Sequence, residues 1–529
     1  MTSKQHNEDS LRPLPIRWWP GALIALVATA LIVWVRSQAD WPFQQRNLNT
    51  YKIAIISTIL LLVWWTFLSR APKRLRLGIT FGSVIAGVLL LALFRIGGAS
   101  GDLGLILEFR WAQKRAVLPT AIAADANWSS KLALSGDNDF PQFLGPDRTG
   151  VLPQTRLNAD WTAHPPQVLW REPVGAAWSG FAIVGDIALT QEQRGEDECV
   201  VARELSTGRQ LWVHTDKARY NTTIAGEGPR ATPTVSANRV FAMGATGLLN
   251  CLDLATGRSL WSHDLLAVNQ GKVPDWGFAG SPLLVDGLVI VHGSDNGKHS
   301  LHAFRAEDGQ PMWSAGTMNP GYASPVFATL AGVEQVLSFN DGSVSAHDPA
   351  TGATLWERPW GNGNVVCSSP VVVSSNQVLF SSGYGVGAQL LEISRAGTER
   401  FKATPLWKSI RMKAKFSQLF ARDGFVYGLD DGIYACVDLR DGSQRWKEGR
   451  YGHGQGLALG DHFLLMAESG ELVLLKPTPD ASNEITRFRV FNSKTWNPIA
   501  LSGDLLLVRN DREAACLRLA LLPGAAVAR

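Results

Sequence analysis

Two patterns of apolar and polar positions divide the chain. Near the N-terminus the apolar residues come in unbroken runs, Trp18–Val35, Ile53–Leu68 and Leu77–Phe94. Each is about long enough to cross a bilayer as a helix, and Trp18, Trp19, Trp64 and Trp65 flank them at the membrane interface. From residue 166 onward the runs shrink to strand length and are separated by Asn, Asp and Thr-Gly turns, which predicts short antiparallel strands joined by hairpins.

The strand region repeats itself. "DLATGRSLW" (253–261) returns as "DPATGATLW" (348–356), with further copies ending at Trp212, Trp313 and Trp446. In every copy a Gly stands four residues before the Trp: Gly208/Trp212, Gly257/Trp261, Gly309/Trp313, Gly352/Trp356 and Gly442/Trp446. Six residues before each Gly lies a small residue, Ala202, Cys251, Ala303, Ala346 or Cys436. "ATPLW" ending at Trp407 is a looser copy, and "EITRF" ending at Phe488 reads as one that has lost its Trp. Spacings of 39 to 52 residues match a four-stranded propeller blade. The Thr-Gly or Asp-Gly pair supplies a tight hairpin turn, and the Trp is a plate that fills the gap between neighbouring blades. Replacing Trp261 by Ala is accordingly expected to cost more stability than replacing Trp178.

Blade cores begin near Phe181, Pro233, Pro282, Pro325, Pro370, Leu419, Leu457 and Ile499, which makes eight. The last reaches Cys516 without a Trp strand, while "PQVLWREPVG" (166–175) carries Trp170 with no blade before it. The expectation is that this orphan strand completes blade eight and closes the ring. Trp170, Trp212, Trp261, Trp313, Trp356, Trp407 and Trp446 then form one class of blade-docking residues. The fold class is all-β: an eight-bladed propeller preceded by three transmembrane helices.

Basic residues orient the helices. The link 69–76, "SRAPKRLR", holds four Lys/Arg and belongs in the cytoplasm, whereas link 36–52 spreads Arg36, Arg46 and Lys52 and belongs outside. Three crossings from a cytoplasmic N-terminus put the propeller in the periplasm of a bacterial inner membrane. The domain reading is residues 1–17 cytoplasmic, 18–96 membrane anchor, 97–165 periplasmic connector, 166–520 propeller and 521–529 tail. Within the connector, Gly101–Leu118 is expected to include a short interfacial helix, and the rest to be linker.

Composition narrows the chemistry. Twenty Trp and 51 Gly fit a propeller, and a net charge of +4 without Lys/Arg runs among aromatics argues against a nucleic-acid partner. Cys251, Cys436 and Cys516 occupy the small-residue slot of separate blades and read as buried thiols; with no CxxC or Cys/His cluster, no metal site is expected. GxSxG, P-loop and HExxH signatures are absent, so no catalytic residue is assigned.

The A-x-D-x-x-T-G-x-x-x-W pattern resembles the pyrroloquinoline-quinone (PQQ) repeat over roughly residues 165–520. That repeat occurs in quinoprotein dehydrogenases and in BamB-like scaffolds of outer-membrane assembly. "FPQFLGPDRTGV" (140–151), "GRYGHGQGLAL" (449–459) and "KTWNPIALSGDLLLVRNDREAACLRL" (494–519) look like bacterial PQQ-like repeat proteins of unassigned function. A quinoprotein implies Glu, Asn and Asp ligands on calcium, a further Asp as base and often an adjacent Cys-Cys disulfide. This chain has no Cys-Cys pair, and its blades average about 45 residues. The resemblance therefore implies a scaffold binding an envelope protein or a small ligand, with no cofactor expected. A PQQ- and calcium-dependent oxidoreductase, or another cofactor-dependent one, is the alternative; a periplasmic ligand sensor is a third, though residues 1–17 are too short for an output domain.

Binding would occur where the links between blades gather at the channel mouth. Trp178, Arg230, Trp276, Tyr322, Lys415, Phe416, His453 and Trp496 lie just before inner strands and are the candidate ligand-gripping residues, against the plainer role of plugging the mouth. Arg509, Asn510 and Asp511 are assigned to bracing the ring closure.

Overall fold

The computed structural model describes residues 15–38, 40–112, 116–120, 128, 133–269, 271–293, 298–361, 365–397 and 400–522. The chain forms two compact units, Met1–Lys114 and Arg115–Arg529.

The first unit holds helices α1 (Trp19–Ser37), α2 (Phe43–Val63, continued by a π-helical turn Trp64–Leu68) and α3 (Lys73–Leu93). All three are long and apolar enough to cross a membrane. Their side chains face outward because little else in the unit covers them. Trp18, Trp64 and Trp65 form a mutually tilted aromatic cluster at one end. After α3 the chain makes an antiparallel hairpin, Phe94–Ala99 with Leu105–Phe109. The expected helix within Gly101–Leu118 is thus corrected: its described part is turn and strand. The reason is legible in "LILEF", where exposure alternates with the period of a strand.

The second unit is a ring of eight antiparallel sheets. Inner strands are Ala182–Val184, Thr234–Ser236, Leu283–Val285, Val326–Leu330, Val371–Ser374, Phe420–Arg422, Gln455–Leu459 and Ala500–Ser502, each next to one anticipated blade start. The orphan strand, Gln167–Pro173, pairs antiparallel with Glu513–Arg518 and sets Trp170 opposite Cys516. It closes the ring as expected. Arg509 braces that junction from a fully buried position: Nη1 donates to Thr190 Oγ1 (2.8 Å) and Gln191 O (3.0 Å), and Nη2 to Gly175 O (2.7 Å).

The repeated nonapeptide builds one lock per junction. Each motif Trp stands opposite a small residue of its own blade: Ala202↔Trp212, Cys251↔Trp261, Ala303↔Trp313, Ala346↔Trp356 and Cys436↔Trp446. A register shift follows directly after each pair, which turns the ring toward the next blade. There the indole N–H donates to a backbone carbonyl: Trp170 to Leu205 O (2.8 Å), Trp212 to Leu254 O (2.9 Å), Trp261 to Ala306 O (3.2 Å) and Trp313 to Pro349 O (3.0 Å). Trp407 and Trp446 do the same to Leu439 O and Thr478 O. The motif Gly of the receiving blade lies under that ring. A Cβ on Gly208, Gly257, Gly309, Gly352 or Gly442 would come within 2.4–2.7 Å of the Trp of the preceding blade. The Gly thus has a packing role besides its positive φ.

Three blades depart from the pattern. Trp356 donates to Gln335 Oε1 of its own blade (2.8 Å), and blade five puts Leu390 rather than a small residue opposite Trp407. In blade seven the residue before the register shift is Leu474, opposite Thr486. Phe488, read from sequence as the Trp equivalent, lies two positions away opposite Leu472.

The connector is not a loose linker where it is described. Phe140, Leu144, Leu157 and Trp161 are buried. Phe140 bridges Ile183 of blade one, Val235 N–H of blade two donates to Pro141 O, and Val151–Leu152 runs parallel to Ala458–Leu459 of blade seven. This strap crosses the channel.

Candidate functional site

Three levels of the channel mouth follow from counting back from each inner strand. Two residues before the strand lies a polar collar. Thr232 Oγ1 accepts from Gly180 N–H (3.1 Å), Ser281 Oγ from Thr232 N–H (2.9 Å), and Ser324 Oγ from Ser281 N–H (2.9 Å). Ser369 N–H donates to Gln418 Oε1 (3.3 Å). Beside this collar, Gln455 at the start of its own inner strand donates Nε2 to Phe416 O (2.6 Å), and Asn497, three residues before its strand, donates Nδ2 across the closing junction to Ala177 O (3.0 Å) and Ser179 O (2.8 Å). Hydroxyl and amide side chains are needed here because the crowded inner turns leave backbone N–H groups that no strand neighbour can meet.

One residue further back, the walls differ. Ala231, Gly280 and Ala323 are small on one side, whereas Ser368 Oγ, Ser417 Oγ and Asn497 Oδ1 on the other are buried without a hydrogen-bond partner, as is Trp496 Nε1 just above. Such atoms can receive a ligand's polar groups.

The fourth residue before the strand is Trp178, Arg230, Tyr322, Cys367, Phe416 and Trp496 in blades one, two, four, five, six and eight. Five of these were singled out from sequence, and they form a layer. Trp496 packs against Trp178 at 4.9 Å and Phe416 at 5.0 Å between ring centroids, and Phe416 against His453 at 5.1 Å. Lys494 Nζ sits 3.9 Å from the Trp496 centroid and 4.8 Å from that of Trp178. Across the mouth Arg230 lies over Tyr220 (4.5 Å), and burial pushes its guanidinium down to about 10. Lys415, itself buried, lies over Tyr384 (4.7 Å). Each cation of the mouth is thus paired with an aromatic face. Burial raises the Cys367 thiol to about 12, so it is held as a neutral thiol.

Trp276 stands outside this layer. With Tyr322 it lines a cleft of ≈ 480 Å³ together with Asp275, Asn319, Asn340 and Asp341. Trp178 is only 8% exposed and more buried than the half-exposed Trp261, which corrects the expectation that Trp178 is the less costly of the two to replace. Sequence reasoning missed Tyr220, Tyr384 and Lys494, which come from loops of no fixed spacing. Cys367 could have been found by aligning the blades.

The strap lies against the inner strands inside the ring. Asp139 Oδ1 of the strap accepts from Gly185 N–H at the turn that follows the inner strand of blade one (2.7 Å). Arg148 rises from it with its Nη atoms on Pro282 O (2.8 Å), Ser281 O (3.1 Å), Pro325 O (3.1 Å) and Gln142 Oε1 (3.2 Å). It is 5% exposed, and desolvation lowers its guanidinium to about 9. The strap backbone adopts left-handed φ at Leu144 (+63°) and Arg148 (+54°), strain of about 1–3 kcal/mol each that the surrounding contacts must hold.

Among the described residues no three His, Cys, Asp or Glu side chains come together to hold a metal. Asp430 is taken by Lys413 (2.7 Å) and Lys447 (2.8 Å), and burial raises the neighbouring Asp431.

Comparison with known proteins bears on the fold and family. The assembly factor BamB of Bordetella pertussis (strain Tohama I) is 23% identical over 375 residues, covering 65% of this chain and 86% of that protein. BamB of Shewanella oneidensis is 23% identical over 293 residues, 51% and 60% of the two chains. The crystal structure of BamB from Moraxella catarrhalis superposes with a TM-score of 0.49 at 16% identity, over 67% of this chain and 99% of that one. A quinohemoprotein alcohol dehydrogenase from Comamonas testosteroni gives 0.55 at 13% identity, over 75% and 82%. At that identity the likeness is one of fold. The family model described as outer membrane protein assembly factor BamB matches residues 158–275 and 196–448, more than half of the 529-residue chain. With eight blades in the ring and this match across the first six, the chain belongs to the BamB-like family of PQQ-repeat β-propellers.

Proposed function

We propose that the protein is a membrane-anchored scaffold of the bacterial envelope, with its propeller outside the cytoplasm and its channel mouth as the docking surface for a protein partner. The single observation that carries the docking surface is the cluster of aromatic rings and cations before the inner strands. Partly exposed Trp276, Tyr322, Phe416 and Trp496 stand there with cations against aromatic faces, and Arg148 holds Ser281 O, Pro282 O and Pro325 O beneath them. Aromatic and Arg side chains around a concave, partly desolvated patch are the usual energetic centre of a protein interface. With Arg148 and the strap held against the inner strands, a partner is expected to insert a loop or side chain at the mouth. Relatives named as outer-membrane assembly factors support an assembly role, and the four basic residues of link 69–76 support the orientation. Redox catalysis through a calcium–quinone pair is not part of this proposal.

The test is crosslinking capture from native membranes with wild type and with Trp276→Ala/Tyr322→Ala/Trp496→Ala. Envelope-assembly proteins captured by wild type, and at least tenfold less by the triple variant with an unchanged melting temperature, are expected. Equal capture would move the docking surface to the outer blades. Stoichiometric PQQ bound by the wild type would overturn the scaffold reading.

A further inference from the structure

We propose that the hairpin Phe94–Ala99/Leu105–Phe109 is a lipid-interface element, laying one face into the headgroup–acyl boundary of the bilayer. It rests on the reading of α1–α3 as membrane spans. The register sorts the hairpin into two faces, because residues directly opposite in an antiparallel pair share a side. Phe94 pairs with Phe109, Ile96 with Leu107 and Ala99 with Leu105, so one face is wholly apolar. On the other, Gly98 pairs with Ile106, and Arg95 pairs with Glu108 and joins it in an ion pair of 3.1 Å. Ala99 is buried and Phe94 half-buried, but the rest of the apolar face is uncovered: Ile96 is 57%, Leu105 53%, Leu107 60% and Phe109 55% exposed, and Trp111 just beyond is 72% exposed. A two-stranded hairpin is at best marginally stable in water, so this face needs a cover.

Three observations say that lipid covers it. First, α3 ends at Leu93 and the strand begins at Phe94, so the hairpin starts where the third span stops. Arg110 Nε donates to Leu91 O and Arg110 N–H to Leu93 O, fastening the returning strand to the end of that helix. Second, the turn is tied to α2 in its polar first part, before the apolar run that starts at Ile53. Asn47 Nδ2 donates to Asp102 O (2.8 Å) and Tyr51 OH to Leu103 O (3.3 Å). The N-terminal end of α2 and the C-terminal end of α3 lie on one side of an antiparallel bundle, so both ends of the hairpin are held at one level and it lies along the boundary. Third, Phe, Leu, Ile and Trp on one side and a charged pair on the other is the composition of elements that rest in an interface. Trp34 and Trp41, edge to face at 5.5 Å, belong to the same level.

The experiment uses the full chain in vesicles of phosphatidylethanolamine and phosphatidylglycerol, with single nitroxide labels at Leu107→Cys, Glu108→Cys and, on α3, Leu89→Cys. Power saturation reads access to oxygen, which enters lipid, against a nickel chelate, which stays in water. Four of the native cysteines are buried and Cys367 is half-buried, so unsubstituted protein serves as the labelling blank. Leu89 and Leu107 are expected to favour oxygen severalfold, Leu107 at shallower depth, and Glu108 to favour nickel. If Leu89 faces lipid while Leu107 and Glu108 are equally open to nickel, or Leu107 is shielded from both reagents, the hairpin proposal fails; shielding would mean that the propeller or a second copy covers it. If Leu89 itself faces water, the membrane reading has failed instead. Wild-type protein and a photoactivatable phospholipid guard against labelling damage. Adducts on peptides containing residues 105–111 are expected, and adducts confined to α3 would overturn the proposal.

Discussion

Gly257→Ala tests whether the repeated Gly-Trp pair is one device or two. The backbone at Gly257 has φ +69°, so any L side chain there meets a left-handed conformation costing about 1–2 kcal/mol. The added methyl would also lie 2.4 Å from Trp212 Cε3 and 2.6 Å from Cδ2, a contact that the rigid indole cannot relieve by a rotamer change. Overpacking of that kind costs roughly 1–3 kcal/mol more. Trp212 is 4% exposed and its indole N–H holds Leu254 O, so Trp212→Ala should cost about 3–5 kcal/mol. In the double variant the clash disappears and only the backbone penalty stays. Gly257→Ala should therefore cost about 2–5 kcal/mol in wild type but only about 1–2 kcal/mol beside Trp212→Ala, a coupling of 1–3 kcal/mol. Urea unfolding of the four proteins, with m-values compared, measures it. Equal cost of Gly257→Ala in both backgrounds would mean that the Gly serves its turn alone, and the inter-blade lock would be refuted.

Two further perturbations follow from buried charge. Glu198 is lifted to about 7 by burial and His292 is lowered to about 4 by burial and by His302, so their pH effects oppose. The folded chain keeps the Glu198 proton where the unfolded chain has lost it, so stability falls as pH rises from about 4.5 to 7; His292 refuses a proton the unfolded chain accepts, so its contribution is lost as pH falls from about 6.5 to 4. Glu198→Gln, which keeps an acceptor for Ala245 N–H, should gain roughly 2–3 kcal/mol over wild type between pH 5 and pH 7.5 in urea midpoints, and a parallel pH profile would contradict the burial argument. Arg509→Met strips donors from Gly175 O and Gln191 O at the ring closure and should cost about 2–5 kcal/mol, whereas Arg518→Met, which breaks an exposed pair with Asp504, should cost less than about 1 kcal/mol; equal melting temperatures would deny Arg509 its bracing role.

The fold was legible where the sequence repeats. A Gly-Trp spacing of four residues fixed the outer hairpin of five blades, and one stray Trp170 fixed how the ring closes. Phe488 misled because register in blade seven is set by the Leu474/Thr486 pair and its bulge, which no Trp marks. The ring of mouth residues was legible for the same reason: position relative to the inner strand is a property of the repeat. What surrounds it was not. Tyr220, Tyr384 and Lys494 reach their partners from loops of unequal length, where no period can place them. The hairpin after α3 was hidden by its apolar content, which suits an interfacial helix as well as a strand until the alternation of Leu105, Leu107 and Phe109 is weighed against Ile106 and Glu108.

The strap was the hardest to foresee, and it changes what the mouth can do. Residues 140–152 are Pro- and Gly-rich and polar, which in sequence signals a linker. They pack because the unpaired inner edges of blades one, two and seven each offer backbone groups that the strap satisfies, and because Arg148 gathers three carbonyls from blades three and four. A buried guanidinium without a carboxylate partner is costly unless its hydrogen bonds are met. Four of its five N–H groups are so met, leaving Nε unpartnered. The charge is therefore held in place by geometry that exists only when these blades are seated in the ring. Strap and ring therefore stabilise each other, and a partner docking as proposed would meet the aromatic rings with Arg148 and the strap already held beneath them.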